Sequence, residues 1–136
     1  MTALHIIVGY YNIRISLDIQ DMTTFVTDFG KFIFNCLPMG MCALRDIYQA
    51  KVDELLGDIG GFKNYIDNII VLSKDSFDKH IYQLIIIFGR LSAVGLKYNA
   101  TKYSFGLKEI PYLVHVITSE GIIHDQNKVQ EIMDIR

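Results

Sequence analysis

The chain has 136 residues, a length that suits one domain built around one hydrophobic core. With 51% hydrophobic and 21% charged residues the composition argues against a disordered chain, and the formal net charge of −2 does not indicate a nucleic-acid partner, although a local basic patch can be masked in the total. Two cysteines with no nearby histidine argue against a disulfide framework and a zinc site, and predict two buried thiols in a reducing compartment.

The sequence also lacks the marks of export and of membrane insertion. Its longest apolar run, residues 84–88, stops at Gly89 and is far shorter than a membrane span. The first residues show no signal pattern with a cleavage site, so we expect an intracellular protein, cytoplasmic or nuclear, without a membrane partner. The chain begins in apolar sequence and ends in a helical pattern that is still running, which predicts a piece of a larger protein.

The first part of the chain predicts short strands followed by a helix. An apolar run broken only by His5 predicts a buried strand over residues 4–8. Alternation of Ile13 and Ile15 with polar residues predicts a half-buried strand over residues 12–16. The pattern then predicts a loop over residues 17–22 and a hairpin of residues 23–27 with 31–35. A helix is predicted over residues 43–56.

Residues 63–73 predict a second hairpin, with Asp67 and Asn68 at its turn. Both residue types tolerate positive φ, and two short apolar runs flank them. Two interpretations stay open from this stretch alone. The pair either only makes the turn, or the turn lifts a carboxylate out of a rigid sheet to hold a metal.

The remaining sequence predicts a long helix, several strands and a final helix. The long helix covers residues 75–94, and its apolar residues 85–87 extend beyond one stripe, so it is either covered on two sides or exposes an adhesive surface. His80 on this helix is predicted to be solvated or to cap it. The later elements are three strands and a helix, at residues 96–99, 103–105, 111–119 and 127–135. This order predicts an α+β domain with a mostly antiparallel sheet and helices packed on one face.

Short motifs follow one another along nearly the whole chain. They read G-Y-Y-N-I-R-I at 9–15, T-F with F-G-K-F at 24–32, L-P-M-G-M at 37–41, I-Y-Q at 47–49, Y-I-D-N at 65–68, S-K with a histidine at 73–80, G-L-K-Y-N at 95–99, Y-L at 112–113, and E-G-I with K-V at 120–129. In this order they resemble the palm region of the reverse transcriptase in Ty3/gypsy-type retrotransposon Pol polyproteins. The resemblance implies a polymerase palm fold, with remnant fingers and palm over residues 12–60, the catalytic hairpin, helix and primer-grip strands over 61–119, and the start of the thumb over 120–136.

The resemblance also implies a metal-dependent catalytic site. Enzymes of this family transfer nucleotidyl groups with two Mg²⁺ ions about 4 Å apart, held by three aspartates. The matching positions are His5, Asp67 and Asn68, and the backbone of Ile6 would be a further metal ligand. Because two of the three carboxylates are replaced, we expect Mg²⁺ or Mn²⁺ to bind weakly or not at all, and polymerisation to be residual or absent.

Nucleotide and primer positions carry over from the same resemblance. The backbone N–H groups of Val8 and Gly9 would face the triphosphate, Tyr10 would be the steric gate under the sugar, and Met39 would line the pocket. The alternative is that Tyr10 is a core aromatic residue and Met39 fills a gap in the packing. The primer grip would be Tyr112, Leu113 and Val114, where Val114 replaces a family glycine that allows close backbone approach to the primer.

Three functions remain open from the sequence. The first is a reverse-transcriptase domain, inactive in this copy, whose partners would be an RNA/DNA template-primer, a deoxynucleoside triphosphate and the missing fingers, thumb and RNase H regions. The second is a non-catalytic module that binds nucleic acid or protein on the same fold. The third is a working polymerase that uses Mn²⁺ or further subunits, with Asp18 and Asp46 as candidates for a second carboxylate. The lysines at 97, 102 and 108, near the expected primer side, would form either a nucleic-acid patch or a solvated face.

Overall fold

The computed structural model describes residues 1–7 and 9–134, apart from the side chains at positions 127 and 132. Its strands are β1 (Thr2–Ile7), β2 (Phe25–Thr27), β3 (Gly30–Phe32), β4 (Phe62–Tyr65), β5 (Asn68–Val71), β6 (Lys97–Tyr98), β7 (Ile110–Tyr112), β8 (His115–Ile117) and β9 (Ile122–His124). Its helices are α1 (Leu17–Gln20), α2 (Leu44–Leu56), α3 (Phe77–Ala93) and α4 (Gln126–Met133), with 3₁₀ turns at Gly9–Asn12, Asp21–Thr23 and Ala100–Lys102. Helices and antiparallel sheets are combined, which confirms the predicted α+β class.

The central sheet has the strand order β4-β5-β1-β6, and its neighbouring strands are antiparallel. Successive side chains of a strand point to opposite faces. Strand β1 therefore turns the buried Leu4 and Ile6 to one face and His5 to the other. The register pairs Leu4 with Ile69 and His5 with Asn68, so each face of β1 continues into the same face of β5.

Helices α2 and α3 cover the Leu4 face of this sheet. Their buried residues recur at helical spacing and form one hydrophobic core with the strands; the main members are Leu4, Ile6, Tyr48, Val52, Leu56, Ile69, Val71, Leu84, Ile87 and Leu91. Burial of this apolar surface is the main favourable contribution to folding. The arrangement leaves the His5 face of the sheet to the functional residues described below.

The isoleucine run on α3 is covered on one side only. Ile87 is fully buried and Ile86 packs against the core, whereas the side chain of Ile85 is 62% exposed. Helix α3 begins after Ser76, whose hydroxyl accepts a hydrogen bond from the Lys79 N–H. Within the described residues, every helix falls short of the length or the hydropathy of a membrane span.

His80 on α3 is buried, and the prediction of a solvated or capping residue was wrong. Its side chain is 3% exposed, with Nε2 2.7 Å from Thr2 Oγ1 and Nδ1 2.8 Å from Ser73 Oγ. The apolar spacing of the helix does not reveal this burial. A histidine can face the core only where other elements supply hydrogen-bond partners, and the helix sequence does not show those partners.

The segment after β1 also differs from the prediction. Residues 9–12 form a 3₁₀ turn, Arg14 contributes only an isolated bridge to Cys36, and the predicted loop contains α1. Ile15 is buried and Arg14 is exposed, as the predicted alternation requires. In the described chain, however, no strand pairs with this segment along its length, so it does not form a regular strand. The prediction of two buried thiols was wrong, since Cys36 is partly exposed and Cys42 is exposed.

The end of the chain forms a small antiparallel sheet in the order β7-β8-β9. Residues 111–119 were predicted as one strand, but Tyr112 pairs with His115 and the chain turns at Leu113 and Val114. No Gly, Pro, Asn or Asp marks this turn, so local preference does not reveal it. Strand β9 was not predicted, and residues 103–105 contribute only a bridge from Ser104 to Ala3.

Candidate functional site

The central hairpin turns one residue earlier than its sequence suggests. Tyr65 pairs with Asn68, so the turn residues are Ile66 and Asp67, and the prediction of an Asp67-Asn68 turn was wrong. Asn68 lies inside β5, where it also pairs with His5 of β1. Pairing on both sides of β5 sets the register, and it outweighs the turn preference of asparagine.

Ile66 has a φ of +56°, a left-handed conformation that is uncommon for a β-branched residue. Two contacts hold the turn in place. The Ile66 N–H donates to Oε1 of Gln49 on α2 at 2.8 Å, and the Ile6 N–H donates to the Asp67 carbonyl at 2.8 Å. The tip of the hairpin is therefore tied to the helix layer and to β1, and the position of Asp67 is defined by the sheet.

The three predicted catalytic positions lie together at this tip. His5 Nδ1 is 3.2 Å from Asn68 Oδ1, and His5 Nε2 is 3.4 Å from Asp67 Oδ2. The Asn68 amide donates to Asp67 Oδ1 at 3.2 Å, which closes a ring of contacts among the three side chains. The side chains of His5 and Asp67 are 24% and 42% exposed, so the group faces a solvent-accessible surface.

This donor set does not fit a pair of Mg²⁺ ions. Magnesium takes oxygen ligands in near-octahedral geometry, and here one carboxylate stands with a neutral amide and an imidazole that contacts it. Among the described residues no group of three or more His, Cys, Asp or Glu side chains could hold a metal ion. The role of the Ile6 backbone as a metal ligand stays a prediction.

A cleft of about 240 Å³ opens beside His5 and Asp67. Its lining comes from β1, the following 3₁₀ turn, the loop before α2, α2 itself, the hairpin and the residue after β6: His5, Ile6, Ile7, Gly9, Tyr10, Met39, Tyr48, Asp67 and Asn99. The structure thus brings the predicted nucleotide positions Gly9, Tyr10 and Met39 to the predicted catalytic positions. Val8, the remaining predicted nucleotide position, lies outside the described residues.

Tyr10 is both a core contact and a wall of this cleft. Its ring packs against the hydrophobic core and lies 4.8 Å from the Tyr48 ring, with an angle of 59° between the planes. Burial and the nearby charge of Asp67 raise the pKa of Tyr10, and Arg45 acts in the opposite direction. The two interpretations of Tyr10 are compatible, whereas its role under a sugar stays a prediction.

Two residues at this site had no individual role predicted from the sequence. Tyr48 and Gln49 occupy adjacent positions on α2, where Tyr48 lines the cleft and Gln49 holds the hairpin turn. A usable signal does exist, since both residues belong to the I-Y-Q segment at residues 47–49. The Tyr48 side chain is buried and carries a hydroxyl group.

The predicted primer grip lies on the other side of Asn68. The Tyr112 hydroxyl donates to the Asn68 carbonyl at 3.4 Å, which joins the β7–β8 hairpin to the central hairpin. A second cleft of about 400 Å³ lies between the two, and its lining includes Lys102, Tyr112 and Leu113. The Val114 side chain is 57% exposed, and its effect on a primer stays a prediction.

The other candidate carboxylates lie elsewhere. Asp18 is on α1 and Asp46 is in the first turn of α2, and both are exposed. Neither is among the described residues that line the cleft beside Asp67. No second carboxylate of the described chain therefore supplements Asp67.

The homologues of the chain are retrotransposon and retroviral Pol polyproteins. No protein-family model matches the sequence. The retrovirus-related Pol polyprotein from transposon opus of Drosophila melanogaster is 32% identical over 136 residues, which cover 98% of this chain and 14% of that protein. The corresponding polyprotein from transposon gypsy of the same organism is 26% identical over 135 residues, covering 98% of this chain and 13% of that protein. The chain thus spans a small part of the curated relatives it matches.

Solved structures share the fold across almost the whole chain. The foamy viral protease-reverse transcriptase in complex with RNA/DNA hybrid has a TM-score of 0.86 and 24% identity, covering 99% of this chain and 18% of that one. The same protein in complex with double-stranded DNA also has a TM-score of 0.86 and 24% identity, covering 99% of this chain and 28% of that one. At this identity the likeness establishes the fold.

Proposed function

We propose that the chain is the palm segment of a Ty3/gypsy-type reverse transcriptase whose metal site is degenerate, so that it does not polymerise or does so only residually. The nucleotide cleft and the primer-side hairpin are kept in this proposal, and the loss is confined to the metal-binding charge. The proposed partners are an RNA/DNA template-primer and a deoxynucleoside triphosphate, with fingers, thumb and RNase H supplied by other parts of a polyprotein. The proposed boundaries at residues 60 and 119 belong to the same hypothesis.

One observation carries this proposal: the three catalytic positions meet at one hairpin tip, but they bring one carboxylate. His5 lies 3.4 Å from Asp67 and 3.2 Å from Asn68, where the family has carboxylates that bind two cations. Two dications beside a triphosphate need negative ligands in order to stay bound. Neutral side chains at two of the three positions remove most of that attraction while the fold around them is kept.

The test is primer extension on an RNA template with Mg²⁺ and, separately, with Mn²⁺. The chain is grafted in place of the matching segment of a polymerising relative, as it stands and with His5→Asp and Asn68→Asp together. We expect the double variant to extend primers at least about a hundredfold faster, because metal ions supply several kcal/mol and 1.36 kcal/mol is a factor of ten in rate.

The control adds the same two carboxylates at exposed positions outside the cleft, Asn12→Asp with Gln126→Glu, and should not restore extension. Extension by the unaltered chain with either metal would contradict the degenerate site and support a working polymerase. Failure of both grafted chains would place the loss elsewhere, with Val114 as the next position to revert.

A non-catalytic nucleic-acid module is the second candidate. It is favoured by the cleft between the central hairpin and β7, where the exposed Lys102 lies near Tyr112. If this candidate is right, the unaltered chain binds an RNA/DNA hybrid in a fluorescence anisotropy titration without extending it. Its affinity should then fall steeply with salt, because binding to phosphates releases condensed counterions.

A further inference from the structure

Tyr48 carries a buried hydroxyl without a hydrogen-bond partner. Helix α2 places Tyr48 on its buried stripe, between Leu44 and Val52, and the side chain is 2% exposed. In the part of the chain that the structure describes, no donor or acceptor reaches the hydroxyl oxygen. A buried polar group without a partner costs stability, so its presence calls for a reason other than packing.

The hydroxyl lies against the backbone of Gly9 at the wall of the cleft. A Cβ atom at Gly9 would stand 2.3 Å from the hydroxyl oxygen, so only glycine permits this approach. Gly9, Tyr10 and Tyr48 line the cleft together with Asp67. Burial raises the pKa of Tyr48, as do the neighbouring Tyr10 and Asp67, and the hydroxyl therefore keeps its proton and can both donate and accept.

Two other polar side chains of the cleft already have partners. Asp67 contacts His5 and the Asn68 amide, and the Asn99 amide oxygen accepts hydrogen bonds from Thr101. Tyr48 therefore offers a buried group that becomes satisfied only when something enters beside it. An incoming group must displace the Gly9 backbone or the Tyr10 ring slightly, because the hydroxyl is covered in the free chain.

We propose that the Tyr48 hydroxyl binds a sugar hydroxyl of a nucleotide in the cleft and so sets the preference among ribose, deoxyribose and dideoxyribose. This inference rests on the proposed function, in which the cleft receives a nucleotide and Tyr10 lies under its sugar. The Tyr48 ring lies 4.8 Å from the Tyr10 ring, so Tyr48 stands beside the residue that is proposed to lie under the sugar. Phenylalanine at this position would lack the contact.

The experiment measures the affinity of the whole chain for ATP, dATP and ddATP by NMR titration without divalent cations. The variant is Tyr48→Phe, and the control is Tyr82→Phe, which removes a hydroxyl from an exposed position on α3. We expect Tyr48→Phe to weaken binding of sugars that carry the contacted hydroxyl by about threefold to tenfold, the usual contribution of one hydrogen bond. Affinity for ddATP should stay unchanged.

A second readout separates this role from a structural one. Because Tyr48→Phe removes an unsatisfied buried group, its urea unfolding midpoint should rise while its affinity for the sugar hydroxyl falls. A loss limited to ATP identifies the 2′ hydroxyl as the contact, and a loss shared by ATP and dATP identifies the 3′ hydroxyl.

Two results would overturn the inference, and they can be told apart. Equal effects on all three nucleotides, ddATP included, whether a loss or no change, show that Tyr48 makes no contact with a sugar hydroxyl and leave the nucleotide cleft intact. If neither the unaltered chain nor the Tyr82→Phe control binds any of the three, the cleft does not receive nucleotides and the proposed function fails together with the inference.

Discussion

At the scale of single residues, His80 is a titratable side chain that is buried among hydrogen-bond partners. The structure is satisfied by a neutral imidazole, in which Nε2 accepts from the Thr2 hydroxyl and Nδ1–H donates to Ser73. Thr2 Oγ1 in turn accepts from the Gly106 N–H at 3.3 Å, and Ser73 Oγ donates to the Gln83 side chain. This network joins α3 to β1 and to the segment that follows β5, and it requires His80 to stay uncharged.

Acidification should therefore destabilise the fold through His80. Burial, and secondarily the charge of the Met1 amino group, lowers the pKa of His80 below its ordinary 6.5. As the pH falls below 6.5, the unfolded chain takes up a proton at this histidine before the folded chain does. The stability that the neutral His80 contributes is therefore complete above pH 6.5 and is lost as the pH falls from there through the folded pKa. We expect the free energy of unfolding from urea titrations to fall between pH 7 and pH 5, by at most about 1.4 kcal/mol per pH unit from this group.

The comparison is with His80→Gln, which removes the titrating group, and with His124→Gln at an exposed position on β9. The His80→Gln variant should be less stable at pH 7 but less sensitive to pH, whereas His124→Gln should keep the original slope. An unchanged slope in His80→Gln would show that other groups account for the pH dependence.

At the scale of elements, two hairpins carry non-glycine residues with positive φ at their turns. Ile66 at +56° connects β4 to β5, and Leu113 at +59° connects β7 to β8. Left-handed backbone costs an ordinary side chain about 1–2 kcal/mol. Ile66 packs against the core and its N–H is held by Gln49, whereas Leu113 is 49% exposed. Packing therefore offsets less of the backbone strain at Leu113 than at Ile66.

Leu113→Asn should stabilise the chain by about 0.5–1 kcal/mol, because asparagine tolerates the left-handed region without glycine's entropy cost. The matched control is Val114→Asn, the other residue of the same turn, which is exposed and has no positive φ. Both variants are measured by urea unfolding. Equal effects at the two positions would show that polarity of the turn, and not relief of backbone strain, is responsible.

At the scale of the molecule, one helix layer covers one face of the central sheet. Ile85 and Ile87 are two residues apart on α3, yet one is 62% exposed and the other is fully buried. The buried one contributes to a core that joins α2, α3, β1 and β5. We therefore expect the free energy of unfolding to depend on how well this core is filled. Apolar residues on the solvent-facing side of α3 should contribute little to it.

Ile87→Ala should destabilise the chain by about 2–5 kcal/mol, since it leaves a cavity in the core. Ile85→Ala should change stability by less than about 0.5 kcal/mol, because it alters an exposed position. The free energy of unfolding of the two variants, compared with the unaltered chain, measures the difference. Similar losses at both positions would show that the outer face of α3 is also covered.

The sequence by itself determined the class of the fold, most of its helices and strands, and the set of positions that meet at the site. Periodicity is local, so the run around His5 predicts β1 and the spacing over residues 43–56 predicts α2. The order of motifs predicts that His5, Asp67 and Asn68 belong together, and they lie within 3.4 Å of one another in contacting pairs.

Only the tertiary structure decided the turn at Ile66-Asp67, the burial of His80 and the unsatisfied hydroxyl of Tyr48. Each depends on residues far apart in the sequence: β1 sets the register of β5, Thr2 meets His80, and Gly9 meets Tyr48. A local pattern reports which face of an element is apolar. It does not report which partner covers that face, and the partner decides whether a polar atom there is satisfied.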